Sequence, residues 1–346
     1  MLALITHMTN RLILFYKKIL SFYLFKYKLT LNQLIPLDIS DYKKEKKLTP
    51  FKGICSICSI LLLLDGRIAI VSNQGRISIY NLSTLERETT FLGSNRDTTA
   101  LCQLKNGLLI SSIGKENVDV TIWDIFSKEH KVHVYSKAHV NEVTKIIEVD
   151  NFRIATASID MTIKIWSAVS PFVLLFTFIG HSYWVEDIMM VSYDMMVSGS
   201  DDKTLRFWNI LTYQSEGVIK DVDCCSHNSI SKINSYKIFI GGYLQFSIVN
   251  VISCTVELQI KNKALMNVYQ FIDDSKEKIY FRSENSIASY DIGTKKINRT
   301  KCYEKQMNCI IRIDDYTFMS KCQDSVVIWK KINNNQRNNI CLSTLE

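Results

Sequence analysis

The chain has 346 residues, 47% of them apolar and 22% charged, which is globular composition and excludes a disordered or low-complexity chain. With only 12 Gly and 3 Pro, collagen-like and Pro-rich classes fall away too. The net charge of +8 is concentrated at the start, where residues 1–50 hold 9 basic and 3 acidic side chains; the near-neutral remainder argues against a broad nucleic-acid face.

Residues 1–43 read as a basic, apolar N-terminal extension. Within it, RLILFYKKILSFYLFKYKL at 11–29 has charge-free apolar runs only at Leu12–Tyr16 and Ile19–Phe25, and Lys17 and Lys18 interrupt it. A membrane span needs about 20 apolar residues, so the segment is too short and too charged to cross. No small-residue cleavage site follows it, so it does not read as a signal peptide. As a helix it has a charge-free arc through Leu12, Ile13, Tyr16, Ile19, Leu20, Tyr23 and Leu24. Contact with an anionic membrane is one option for it, and an extension outside the folded body the plainer one.

From residue 51 onward the chain repeats. An alternating strand ends in an aromatic or apolar anchor and a polar step at Tyr80, Trp123, Trp166, Trp208, Val249, Tyr290 and Trp329, with spacings of 43, 43, 42, 41, 41 and 39. Each unit holds short alternating runs separated by Asp, Asn or Gly turns. In unit four these are Val185–Val191, Asp194–Ser198, Thr204–Trp208 and Gln214–Asp221. Four short antiparallel strands per unit of about 40 residues describe a propeller blade.

Two units share one polar set. Unit three has Ala138-His139, Thr156, Asp160 and Trp166; unit four has Gly180-His181, Ser198, Asp202 and Trp208. In both, the hydroxyl stands ten residues before the Trp, the Asp six and the His twenty-seven. With the run SGSDDKTLRFWN at 198–209, the chain over 44–333 resembles a WD40-repeat protein. That resemblance implies an all-β, closed seven-bladed β-propeller with four antiparallel strands per blade. It also implies a structural relay in each of the two units: the Asp accepts from the His, the His bonds the hydroxyl, and the hydroxyl bonds the indole N–H. Unit two keeps Trp123-Asp124 but reads as having an extended turn, Gly114–Asp119, and no matching His. Units one, six and seven lack the His, and unit five has a shortened turn after Ile240-Gly241-Gly242, so these blades are expected to rest on apolar packing. Glu45–Lys52 is expected to complete the last blade beside Val326–Trp329, with Ile340–Leu345 as the rival closing strand; residues 334–346 form a tail.

The sequence carries few motifs of chemistry. There is no GxxxxGK[ST], GxGxxG after a strand, HExxH or GxSxG. The ten cysteines are scattered, and Cys55-Ser-Ile-Cys58 has no second ligand pair at zinc spacing, so they read as small apolar residues of a reducing compartment. His130 and His133 are expected to face solvent, and His227 to be a satisfied or exposed histidine. No catalytic residue, cofactor or metal is expected.

The resemblance implies a non-enzymatic scaffold binding other proteins of a multi-subunit complex in the cytoplasm or nucleus, built on a monomeric propeller that contacts no nucleic acid. Its binding face is expected at the loop entering unit four, where Tyr183 and Trp184 follow His181, bordered by Asn141, Glu142 and Asp97. The alternatives are a ubiquitin-ligase substrate receptor and a membrane-trafficking propeller anchored by the N-terminus. Against the first, the family's Trp-Asp-x-Arg is here Trp123-Asp124-Ile125-Phe126.

Overall fold

A computed structural model describes residues 42–48, 57–92, 98–127, 130–224, 229–242, 245–261, 270–272, 278–283, 286–301, 309–312, 317–321 and 326–331. Residues 1–41 of the N-terminal extension, the C-terminal tail and Ile340–Leu345 fall outside these residues.

The described residues form 28 strands and no helix. β1 is Tyr42–Leu48. The first repeat supplies β2 (Ile57–Leu62), β3 (Ile68–Ser72), β4 (Arg76–Tyr80) and β5 (Arg87–Leu92). The second supplies β6 (Leu101–Gln103), β7 (Leu109–Ile113), β8 (Glu116–Trp123) and β9 (Lys131–Asn141). In the third lie β10 (Val143–Glu148), β11 (Arg153–Ser158), β12 (Thr162–Ser167) and β13 (Leu174–Ile179). The fourth has β14 (Val185–Met190), β15 (Met195–Ser200), β16 (Thr204–Asn209) and β17 (Gln214–Lys220). Then follow β18 (Ile230–Lys232), β19 (Lys237–Gly241), β20 (Gln245–Asn250) and β21 (Thr255–Lys261). The sixth repeat gives β22 (Gln270–Ile272), β23 (Lys278–Ser283), β24 (Ser286–Asp291) and β25 (Ile297–Lys301). β26 (Cys309–Arg312), β27 (Thr317–Lys321) and β28 (Val326–Lys331) end the series.

Each group of four forms one antiparallel sheet in sequence order, and β1 joins β28-β27-β26 as the fourth strand of the last sheet. Lys44 stands opposite Trp329 and Leu48 opposite Val326. The N-terminal strand therefore takes the expected partner but begins at Tyr42 rather than Glu45, and residues 49–52 lie outside the described set.

Sequence alternation explains the strands. In β12 and β16, TIKIWS and TLRFWN, the apolar positions are buried while Thr162, Lys164, Thr204 and Arg206 are half-exposed. The apolar faces meet between successive sheets. Ile163, Ile165 and Phe178 of the third sheet pack with Ile188, Met196 and Trp208 of the fourth. Tyr80 and Ile70 of the first sheet pack with Val326 and Ile328 of the last. The first strands of successive sheets lie side by side from β2 to β26, and β2 also touches β27.

Unit two departs from its expected form. Gly114–Asp119 is not an extended turn: β8 starts at Glu116, and β9 runs to Asn141 with Glu116 opposite Asn141. The additional residues lengthen the β8–β9 pair instead of a loop, because Val118 and Val120 have core positions to fill.

Candidate functional site

The relay residues meet in both units. In unit three His139 Nδ1 lies 2.8 Å from Asp160 Oδ2 and Nε2 lies 2.7 Å from Thr156 Oγ1, to which Trp166 Nε1 donates at 2.8 Å. In unit four the corresponding distances are 2.9 Å from His181 to Asp202, 2.7 Å from His181 to Ser198, and 2.7 Å from Trp208 to Ser198. A carboxylate only accepts, so Nδ1–H donates to it, the hydroxyl donates to Nε2, and the indole donates to the hydroxyl oxygen. Burial lowers the pKa of both imidazoles against the opposing pull of their Asp partners, so each ring is neutral. Burial also acts to raise the Asp202 carboxyl, but hydrogen bonds from Thr204, Ser182 and His181 outweigh it and hold the group at about 2. Asp160 is likewise held below the usual carboxylate range, its hydrogen bonds from His139 and Thr162 overcoming burial.

Unit two keeps half of this arrangement. Trp123 Nε1 donates to Ser111 Oγ at 2.8 Å. Trp123 pairs across the strands with Leu109, as Trp166 does with Ile154 and Trp208 with Met196. In each case the hydroxyl stands two residues beyond that partner. Ser111 escapes the ten-residue spacing because the β7–β8 hairpin is two residues longer; counting from the cross-strand partner finds it. At the same position units one and five carry Ile70 and Ile240, fully buried, consistent with apolar packing there.

The relay Asp also holds the loop above it. Asp202 Oδ2 accepts from Ser182 N at 3.0 Å, Ser200 Oγ donates to Tyr183 O at 3.1 Å, and Asp201 N donates to Trp184 O at 3.1 Å. Unit three repeats the arrangement: Ser158 Oγ donates to Asn141 O and Ile159 N to Glu142 O. On this fixed backbone Tyr183 and Trp184 stack with centroids 5.0 Å apart, and they remain 45% and 39% exposed. Asn141 is exposed and Glu142 half-buried, just before β10. β10 lies beside β14, which places the two loops at the same end of neighbouring sheets. Asp97, the remaining residue of the expected face, lies outside the described residues.

Carboxylates missed by sequence reasoning underlie this face. Glu186, two residues after Trp184, is only 7% exposed. Burial, reinforced by the charges of Asp201, Asp187 and Glu142, pushes its pKa up to about 8. Asp187 is buried and bridges sheets: its carboxylate accepts from Ile188 N at 3.0 Å and Ile230 N at 2.8 Å, with Lys145 Nζ at 3.8 Å. Lys145 and Asp187 occupy matching bulge positions, two residues after Val143 and Val185. That repeat offset of 42 is the signal that would have paired them.

Two histidines do not face solvent as expected. His130 is half-buried with its ring edge-on to Phe91 at 4.4 Å, and His133 stacks on Phe172 at 4.4 Å. Phe91 and Phe172 offer aromatic surface that the imidazole rings cover, and the hydropathy of a single polar residue does not reveal this. His227 and Cys55 lie outside the described residues. Cys58, Cys102 and Cys254 are half-buried, and Cys224 is fully buried. Burial raises the Cys102 pKa to about 11, which suits packing and not nucleophilic chemistry. Among the described residues no His, Cys, Asp and Glu group has metal-binding geometry, and no helix is long and apolar enough to cross a membrane.

Comparison with known proteins agrees with this geometry. The family described as WD domain, G-beta repeat matches residues 129–167 and 172–209. The nuclear distribution protein PAC1-2 of Uncinocarpus reesii is 26% identical over 161 residues, covering 40% of this chain and 34% of the relative. The WD repeat-containing protein pop2 of Schizosaccharomyces pombe is 26% identical over 186 residues, covering 44% and 26%. The human DDB1- and CUL4-associated factor 10 is 29% identical over 112 residues, covering 31% and 19%. The chain thus spans about a third or less of each of these relatives. The two matched stretches contain the two complete relays, and the chain carries WD40 repeats within an all-β array of four-stranded antiparallel sheets.

Proposed function

We propose that this chain is a non-enzymatic interaction platform: a closed seven-bladed ring that binds a partner protein through the face bearing Tyr183 and Trp184. Closure is supported by the pairing of the two terminal strands β1 and β28 and by the shared core of the first and last sheets. The observation that carries the function is the stacked, exposed aromatic pair on a backbone pinned from beneath. Large aromatics on a rigid support dominate interface energies, because they bury area with little loss of freedom.

The partner segment on this reading is basic. Glu142, Glu186 and Asp201 lie beside the aromatic pair, and their mutual repulsion contributes to the raised Glu186 pKa. A Lys or Arg placed there relieves that repulsion and favours the ionised carboxyl. Binding then releases a proton, and affinity rises as the pH is taken up towards about 8. Fluorescence anisotropy with Lys/Arg-rich and Glu-rich peptides tests this. The basic peptide should bind, more weakly at high salt, and Trp184→Ala should weaken it by a factor of roughly 30 or more, the range of a binding hot spot. Equal binding of both peptides, or an unaffected Trp184→Ala, counts against the face.

The likeness to DDB1- and CUL4-associated factor 10 supports a second reading, as a ubiquitin-ligase substrate receptor. Co-precipitation of DDB1 with this chain tests it; the exposed Phe126, standing where the family's docking motif has Arg, leads us to expect none.

A further inference from the structure

Each sheet ends in an outer strand that is hydrogen-bonded on one side only within its sheet: β1, β5, β9, β13, β17, β21 and β25. Six of these carry charge. β1 has Lys43, Lys44, Glu45, Lys46 and Lys47; β5 has Arg87 and Glu88; β9 has Lys131 and Lys137. β17 has Glu216 and Lys220, β21 has Glu257 and Lys261, and β25 has Arg299 and Lys301. Charges on an edge strand keep another chain from adding to it, because pairing would bury or oppose them. β13, LLFTFI, has none. The charge-free stretch extends from Ile165 to Val185, 21 residues in a chain that is 22% charged. Its apolar side chains are outside as well: Val173, Leu174 and Leu175 are 41–46% exposed and Ile179 is 78% exposed.

We propose that β13 is a self-pairing edge, through which two copies of this chain join antiparallel about a two-fold axis. Set against itself, each of the other six edges brings charged side chains into the pair, and β13 brings none. An axis through Thr177 sets Thr177 against its own copy and Leu175 against Ile179. Those are the hydroxyl–hydroxyl and apolar cross-strand pairs that stabilise antiparallel strands. Phe176 and Phe178 stay in the monomer, where Phe176 stacks on Tyr213 at 4.6 Å and Phe178 packs on Trp208. The pairing therefore needs no rearrangement of the core. It departs from the monomer expected from the repeat pattern, which carries no information about edge charge.

Sedimentation velocity of the full chain across the micromolar range tests the pairing. The parent should shift from 40.0 kDa to twice that mass with concentration. Leu175→Lys and Ile179→Lys, both at exposed positions, should stay monomeric and keep the parent's circular dichroism. Thr177→Cys should cross-link to a covalent dimer under mild oxidation, while the parent, with its own cysteines, does not. A parent that is monomeric throughout, including one whose β13 instead binds liposomes or a different protein, overturns the proposal. A dimer that survives both lysine substitutions also overturns it.

Discussion

Replacing Asp202 with Ala probes the relay at its most connected atom pair. Its carboxylate accepts from His181 Nδ1 at 2.9 Å, Ser182 N at 3.0 Å, Thr204 N at 2.9 Å and Thr204 Oγ1 at 2.6 Å. The donors do not suffer equally. Ser182 is exposed and Thr204 half-exposed, so water can replace the carboxylate there. His181 is buried, and its Nδ1 then has only Thr204 Oγ1 at 3.2 Å to turn to. One poorly satisfied buried donor plus the lost charge-assisted bonds cost about 2–3 kcal/mol. At about 2 °C per kcal/mol, the low end for a large domain, melting should fall by roughly 4–6 °C. Asp202→Asn keeps an acceptor for His181 and should lose about half as much, on the same hydrogen-bond scale. The folded carboxyl sits at about 2 against an ordinary value of 3.8, so its contribution is present above 3.8 and is lost as the pH falls towards 2. Parent and Asp202→Ala melting curves should therefore converge in acid over that window. A variant that melts with the parent at neutral pH would refute the relay as a source of stability.

Three further outcomes follow from packing and pairing. Ser111→Ala removes the acceptor of the buried Trp123 indole N–H and should cost about 1–3 kcal/mol by chemical denaturation, whereas an equally conservative change at exposed Ser136 should cost nothing measurable. Gly199→Ala would set its Cβ 2.1 Å from Cys224 Sγ, so the variant should lose soluble yield, and Cys224→Ala in the same chain should restore part of it. Removing residues 1–41 leaves β1 in place and should give a cooperative melt, while removing 1–48 strips β28 of its partner and should cause aggregation, read by light scattering. Equal behaviour of the two truncations would contradict closure through β1.

Much of the fold was legible because one period near 41 carries it, and units three and four keep every polar member at fixed offsets. Strand positions in unit four follow directly, with Val185, Thr204 and Gln214 each opening a strand where the alternation begins. The rest depends on pairing, which a linear spacing does not encode. Ser111 sits in the relay position only after the longer β7–β8 hairpin is folded up. Asp187 reads as an exposed acid until β18 brings the Ile230 N–H to it. His130 and His133 look like surface residues until Phe91 arrives from β5 and Phe172 from the segment before β13. In the candidate face, Tyr183 and Trp184 were visible as aromatics with no core role, but the carboxylates beside them were not, since Glu186 and Asp201 come together only when β14 and β15 pair.

The most direct test of the account is affinity capture with the full chain beside Trp184→Ala, with melting temperature measured on both preparations. If the face of Tyr183 and Trp184 is the working surface, Trp184→Ala loses the captured partners while melting with the parent, since the residue is 39% exposed and its ring stacks on another surface residue. If instead the variant keeps its partners and melts at lower temperature, Trp184 belongs to the scaffold, and the binding surface lies elsewhere on the molecule.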